Sequence, residues 1–204
     1  MKDGSNRFGH AVAVGGGKVA VGAYYAPGGN TYRCGRVHIF DLDGSNEIIV
    51  EPGDLSTNKF FGYSVAIGNN KLYVGAYGDN FYRGAVYIYD LDGTNEVKVT
   101  ASDAANYDYL GWALDADGGK FITGAPYHED SGYANTGAAY IFDADGTNEV
   151  KLVASDKINY DNYGRSVAIN STKAVVGSPY NDACLLYTSP SPRDAHESRM
   201  PSSA

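Results

Sequence analysis

One unit is written again and again along this chain, and its spacing restricts the fold more than any other feature. The unit is plainest over residues 61–96, FGYSVAIGNNKLYVGAYGDNFYRGAVYIYDLDGTNE. Its opening pair, Phe61-Gly62, recurs as Phe8-Gly9, Leu110-Gly111 and Tyr163-Gly164. Its middle signature, Gly75-Ala76-Tyr77, recurs as Gly22-Ala23-Tyr24, Gly124-Ala125-Pro126 and Gly177-Ser178-Pro179. The glycines of the pair step by 53, 49 and 53 residues, and the first glycines of the middle signature step identically. A constant period near fifty requires an array of like supersecondary units.

Within each unit the pattern is that of short strands. In Gly62-Tyr63-Ser64-Val65-Ala66-Ile67, large apolar residues alternate with small ones, which suits a strand packed on both faces. A Gly/Asn turn follows, then a second strand ending at the glycine signature, a loop of variable length and a third strand such as Ala85-Val86-Tyr87-Ile88-Tyr89-Asp90. Asp-Gly turns at 43–44, 92–93 and 145–146 lead into a fourth. Four short antiparallel strands per unit, glycine at the corners and no helical period specify an all-β fold of propeller blades.

Composition narrows the partners. With 16 Lys+Arg against 24 Asp+Glu the net charge is −8, which argues against nucleic acid or an anionic membrane surface. No apolar run approaches the roughly 20 residues of a membrane span, and Met1-Lys2-Asp3-Gly4 enters the first repeat without a secretory leader. Residues 1–7 read like the end of an inter-repeat loop, so the array is expected to begin upstream. Cys34 and Cys184 are too few for a disulfide framework, and Cys34 reads as a free thiol.

F-G…V-G-A-Y and F-G…T-G-A-P resemble the FG-GAP repeats of integrin α subunits and of many bacterial and eukaryotic surface proteins. The resemblance covers residues 7–182: units at 7–60, 61–109 and 110–162, and a partial unit at 163–182. It implies a β-propeller fragment of four-stranded antiparallel blades, an open arc rather than a closed ring, in an extracellular or cell-surface protein. Residues 183–204 abandon the repeat, carry prolines 190, 192 and 201, and resemble translated sequencing-adapter read-through; they are expected to be a non-native or disordered tail.

The family's best-known cofactor is calcium, held in an Asp-rich loop between the first and second strands. Here those loops are Gly15-Gly16-Gly17, Gly68-Asn69-Asn70, Asp115-Ala116-Asp117-Gly118-Gly119 and Asn170-Ser171-Thr172, which do not supply the oxygen ladder. No metal or other cofactor is therefore expected. The recurring Asp-x-Asp-Gly-x-Asn-Glu at 41–47, 90–96 and 143–149 leaves calcium open, but its uniformity favours a structural turn. Catalysis is not expected: the histidines form no evident set with a nucleophile, and Asp103, Asp108, Asp156 and Asp161 read as solvated loop acids.

Alternate loops of a blade fall on opposite faces of a propeller. Twelve of the eighteen tyrosines lie in or beside the longer loops, which share one face, and this points to a binding surface. The candidate residues are His10, Tyr24, Tyr25, Tyr63, Tyr77, Asp79, Tyr82, Trp112, Tyr127, Asp130 and Arg165. Four of them follow the opening pair directly, as His10, Tyr63, Trp112 and Arg165, and are expected to ring the mouth of the central channel. The resulting expectation is a binding or adhesion module for a protein or carbohydrate ligand, with Tyr63 and Trp112 as half of an integrin-like aromatic cup. The alternatives are a hydrolase or lyase with acids at the channel mouth, and a structural spacer.

Overall fold

A computed structural model describes residues 6–130 and 132–181, and the backbone of 187–190. The first sheet runs β1 (Phe8–Gly15), β2 (Lys18–Ala23), β3 (Arg36–Asp41) and β4 (Ile48–Val50). The second is β5 (Ser64–Gly68), β6 (Lys71–Ala76), β7 (Ala85–Asp90) and β8 (Val97–Val99). The third is β9 (Leu114–Asp117), β10 (Lys120–Ala125), β11 (Ala138–Asp143) and β12 (Val150–Leu152). The fourth is β13 (Ser166–Ile169), β14 (Lys173–Gly177) and β15 (Tyr187–Pro190). Within each sheet the described strands pair antiparallel with their neighbours in sequence.

The fourth unit, expected to stop after its second strand, gains β15 on β14, with Val175 opposite Thr188. The rest of the expected tail lies outside the described residues.

The core lies between the sheets. Strand alternation sends Leu72 and Val74 to one face of the second sheet and Tyr73 to the other. The first face packs on Ala20, Val37, Ile39 and Val50 of the first sheet. The second face packs on Phe121, Tyr140 and Phe142 of the third, and Ile122 and Ile141 continue onto Ala174 and Val176 of the fourth. The inner strands β1, β5, β9 and β13 follow one another along the stack. The arc is open at its first sheet, where Phe8, Val12 and Val14 are 58%, 67% and 66% exposed. Phe61, Leu110 and Tyr163, the equivalents of Phe8, are buried between blades.

The two glycine signatures recur in phase because they meet across each blade junction. A Cβ on Gly22, Gly75 or Gly124 would lie 2.0, 2.1 or 1.8 Å from the carbonyl oxygen of Gly62, Gly111 or Gly164, the opening-pair glycine of the next blade. Only a hydrogen fits there.

The Asp-Gly turns serve their own hairpins. Asp41, Asp90 and Asp143 each join a lysine (Lys18, Lys71, Lys120) to an asparagine (Asn46, Asn95, Asn148). Asp43, Asp92 and Asp145 accept from the backbone and hydroxyl of Ser45, Thr94 and Thr147. These are Asx-type turn bonds repeated without variation.

Candidate functional site

The loops after the second and fourth strands gather on one rim, held by a backbone pattern that repeats. Tyr25, Gly78 and Tyr127 donate to the carbonyls of Asn6, Lys59 and Asp108, three residues before each opening-pair glycine. Phe61, Leu110 and Tyr163 donate to Cys34, Arg83 and Thr136, so each long loop is also pinned by the next blade. Backbone strain marks the rim: Arg7, Phe60, Tyr109 and Asn162, each two residues before that glycine, have φ of 58°, 58°, 63° and 53°.

On this rim the four residues after the opening pair line up from blade to blade. The rings of His10 and Tyr63 are 4.8 Å apart, those of Tyr63 and Trp112 4.9 Å, and the Arg165 guanidinium lies 4.6 Å from the Trp112 ring centre. Loop aromatics fill in around them. Tyr24 lies 4.5 Å from His10 and Tyr77 4.5 Å from Tyr63, while Arg165 donates to the Tyr127 hydroxyl at 3.2 Å. Tyr25 and Tyr82 extend the array on either side, against Tyr24 and Tyr77.

Phe60 and Tyr109 join the array from outside the candidate set, as does Tyr107, stacked on Tyr82. Phe60 stacks on Tyr77 at 4.9 Å, and Tyr109 touches Tyr77, Tyr82, Trp112 and Tyr127. The signal for Phe60 and Tyr109 was the position two before the opening-pair glycine, which varies as Arg7, Phe60, Tyr109 and Asn162.

Electrostatically the rim is aromatic and basic rather than aromatic and acidic. Burial raises the phenol pKa of Tyr24, Tyr63, Tyr77 and Tyr109, keeping these hydroxyls protonated. Burial, helped by Arg7, lowers that of His10, which favours its neutral ring. Arg33 sits 4.4 Å and Arg7 5.5 Å from the Tyr25 ring centre. Trp112's own face is taken by Arg165, so the expected aromatic cup is filled by a side chain of this protein.

The two acids of the candidate set turn away from this array. Asp79 is 3% exposed and pairs with the fully buried Lys59 and, at 2.7 Å, with Lys98; Asp130 pairs with Lys157 at 2.5 Å. An ammonium without water needs counter-charges, and the loop acids supply them. Lys59 also binds Asp54 at 3.0 Å and the Tyr87 hydroxyl at 2.7 Å.

The next junction repeats this arrangement with an acid in place of the lysine and a histidine in place of the acid. Asp108 occupies the place of Lys59 and His128 that of Asp79, paired at 2.9 Å, with Asp103, Tyr140 and Lys151 around them. Lys151 Nζ lies 2.8 Å from His128 Nε2, which therefore accepts, while Nδ1–H donates to Asp108. In the third junction Asp161 meets Asn181 at 3.4 Å. Asp108 and Asp161, expected to be solvated, are thus buried loop anchors.

Burial pushes the Asp54 carboxyl pKa up, but hydrogen bonds from Lys98, Tyr87 and Lys59 outweigh it and bring it down to about 2. Asp103 is lowered in the same way, burial being overcome by Lys151 and Tyr140. Acids held this low are poor proton donors at neutral pH. Asp54 and Asp79 do converge, on Lys59 and Lys98, but at the Tyr82 edge of the aromatic array and not among His10, Tyr63, Trp112 and Arg165. They border a cleft of about 420 Å³, also lined by Asn58 and by Asn80, Phe81 and Tyr82.

A sequence model described as "FG-GAP repeat" matches residues 45–89, 94–142 and 147–190. Each match opens on the fourth strand of one sheet and runs through three strands of the next, so the sequence repeat is offset from the structural blade by one strand. No curated protein matches the chain. Among solved structures, a chain from the "Crystal structure of Nidogen/Laminin Complex" superposes with a TM-score of 0.55 at 10% identity, over 86% of this chain and 62% of that one. At that identity the likeness is one of fold, to a β-propeller, and the chain spans less than two thirds of its neighbour's length. Among the described residues no helix is long and apolar enough to cross a membrane.

Proposed function

The chain belongs to the FG-GAP repeat family, and from that premise we propose that it is a non-catalytic binding module of an extracellular or cell-surface protein, docking a protein partner on its aromatic rim. The observation behind this reading is the unbroken ring-to-ring array from His10 through Tyr63 and Trp112 to Arg165, contributed by four successive blades. Tyrosine, tryptophan and arginine dominate protein-binding hot spots, because they offer large rigid area together with a polar tip. Arg7, Arg33 and Arg165 give this rim its charge, which favours a partner carrying carboxylates among apolar groups.

The test is binding of the full chain, displayed as a bivalent fusion, to a panel of purified extracellular proteins and to intact cells. Tyr63→Ala and Trp112→Ala should each weaken the interaction found by tenfold or more while leaving the fold intact by circular dichroism. Equal binding by both variants and the parent would refute the assignment.

A further inference from the structure

We propose that the cleft at the junction of the first two blades is a second ligand site, built for a neutral saccharide. It lies beside the aromatic rim and does not depend on the rim's having a partner.

Its size comes first. About 420 Å³ falls within the range of small-ligand clefts. The second blade leaves this space because its long loop is cut short. In the first and third blades the loop carries a small paired turn, Gly28 with Thr31 and Asp130 with Tyr133, whereas the second blade has a tight left-handed turn over Asp79–Tyr82.

Its charge comes next. Lys59 and Lys98 face Asp54 and Asp79, two cations against two anions already paired with one another. A phosphate, a sulfate or a metal ion would have to break those pairs. A neutral ligand need not.

Its lining then selects the chemistry. Asn58, Asn80, Ser56 and Thr57 give the wall amide and hydroxyl groups, which both donate and accept. A polyol offers donors and acceptors in the alternation such a wall needs.

Phe81 supplies the remaining element. Its ring is 72% exposed, on a backbone where Asn80, Phe81 and Tyr82 have φ of 45°, 59° and 62°. Three consecutive left-handed residues other than glycine are unfavourable, and strain of this kind persists where a side chain must be held in place. The next blade holds it: Tyr107 N donates to Phe81 O at 3.2 Å and Tyr109 N to Tyr82 O at 2.9 Å. An exposed ring fixed beside amides, hydroxyls and balanced charge suits the apolar C–H face of a pyranose, with the sugar's hydroxyls turned to the wall.

The experiment uses the full chain against immobilised neutral oligosaccharides ending in mannose, galactose or N-acetylglucosamine, with sialylated and sulfated versions alongside. At least one neutral series should be retained. For the strongest of these, Phe81→Ala should weaken binding by about tenfold. Phe81→Gly should weaken it equally while raising the urea midpoint, because glycine accepts the left-handed backbone; a residue kept for folding alone would not separate the two readouts in this way. The proposal is overturned if no neutral sugar is retained, if only the sialylated or sulfated forms are, or if Phe81→Gly binds as well as the parent. Sugar binding lost in Trp112→Ala but kept in Phe81→Gly would also overturn it, and would assign the sugar to the rim.

Discussion

Replacing Lys59 with methionine would remove an ammonium that water does not reach while keeping most of its aliphatic stem. The lysine is 0% exposed and bridges Asp79, Asp54 at 3.0 Å and the Tyr87 hydroxyl at 2.7 Å. Without it Asp79, 3% exposed, keeps only Lys98 at 2.7 Å as a counter-charge. Stripping one partner from a buried pair costs about 3–5 kcal/mol, and Lys98 places this case at about 3 kcal/mol. For an m-value of about 2 kcal/mol/M in urea, the midpoint should fall by about 1.5 M. The neighbouring junction suggests the rescue. Lys59→Asp combined with Asp79→His copies the Asp108–His128 pair and should recover more than about 1 kcal/mol over the worse single variant. A loss below about 1 kcal/mol in Lys59→Met, or a double variant no better than either single one, would show that the junction does not rest on this buried pair.

Gly75→Ala should cost more than about 3 kcal/mol or prevent folding, because its Cβ would stand 2.1 Å from the Gly111 carbonyl oxygen, where only backbone movement makes room; a thermal midpoint within about 3 °C of the parent would contradict the close approach. Asp54, with its folded pKa depressed to about 2 against about 3.9 unfolded, stabilises the fold above pH 4, and that stability is lost as pH falls from about 4 to about 2. Since the carboxyl is 48% exposed, the loss after solvent screening is about 1 kcal/mol. Urea midpoints across that window should show a steeper acid decline for the parent than for Asp54→Asn, and identical slopes would remove Asp54 from the account.

Much of the architecture is legible without coordinates because it is local and repeated. The last two of the steps between opening-pair glycines, 49 and 53 residues, appear again as the spacing of the family matches, which start at 45, 94 and 147. Alternation of large and small residues identified the strands, since a strand's two faces are written in adjacent letters. The long-loop rim followed from topology alone, and His10, Tyr63, Trp112 and Arg165 do line up there because they occupy one register position in four like strands.

Which charged side chains would be buried was not legible. Asp79 and Asp130 sit among tyrosines in the sequence and look like surface acids. Their fates are set by Lys59 and Lys157, 20 and 27 residues away, through contacts that exist only once two loops are brought together. The same holds for Arg165 closing over Trp112 and for the cleft, which is the difference between a short loop in one blade and longer ones beside it. The sequence by itself determined the period, the strands and the side of the propeller on which the long loops emerge, since backbone geometry repeats wherever its glycines do. Tertiary structure alone decided the chemistry of that side, because the pairing of charges and the shape of a hollow depend on the distance between segments, which no local pattern encodes.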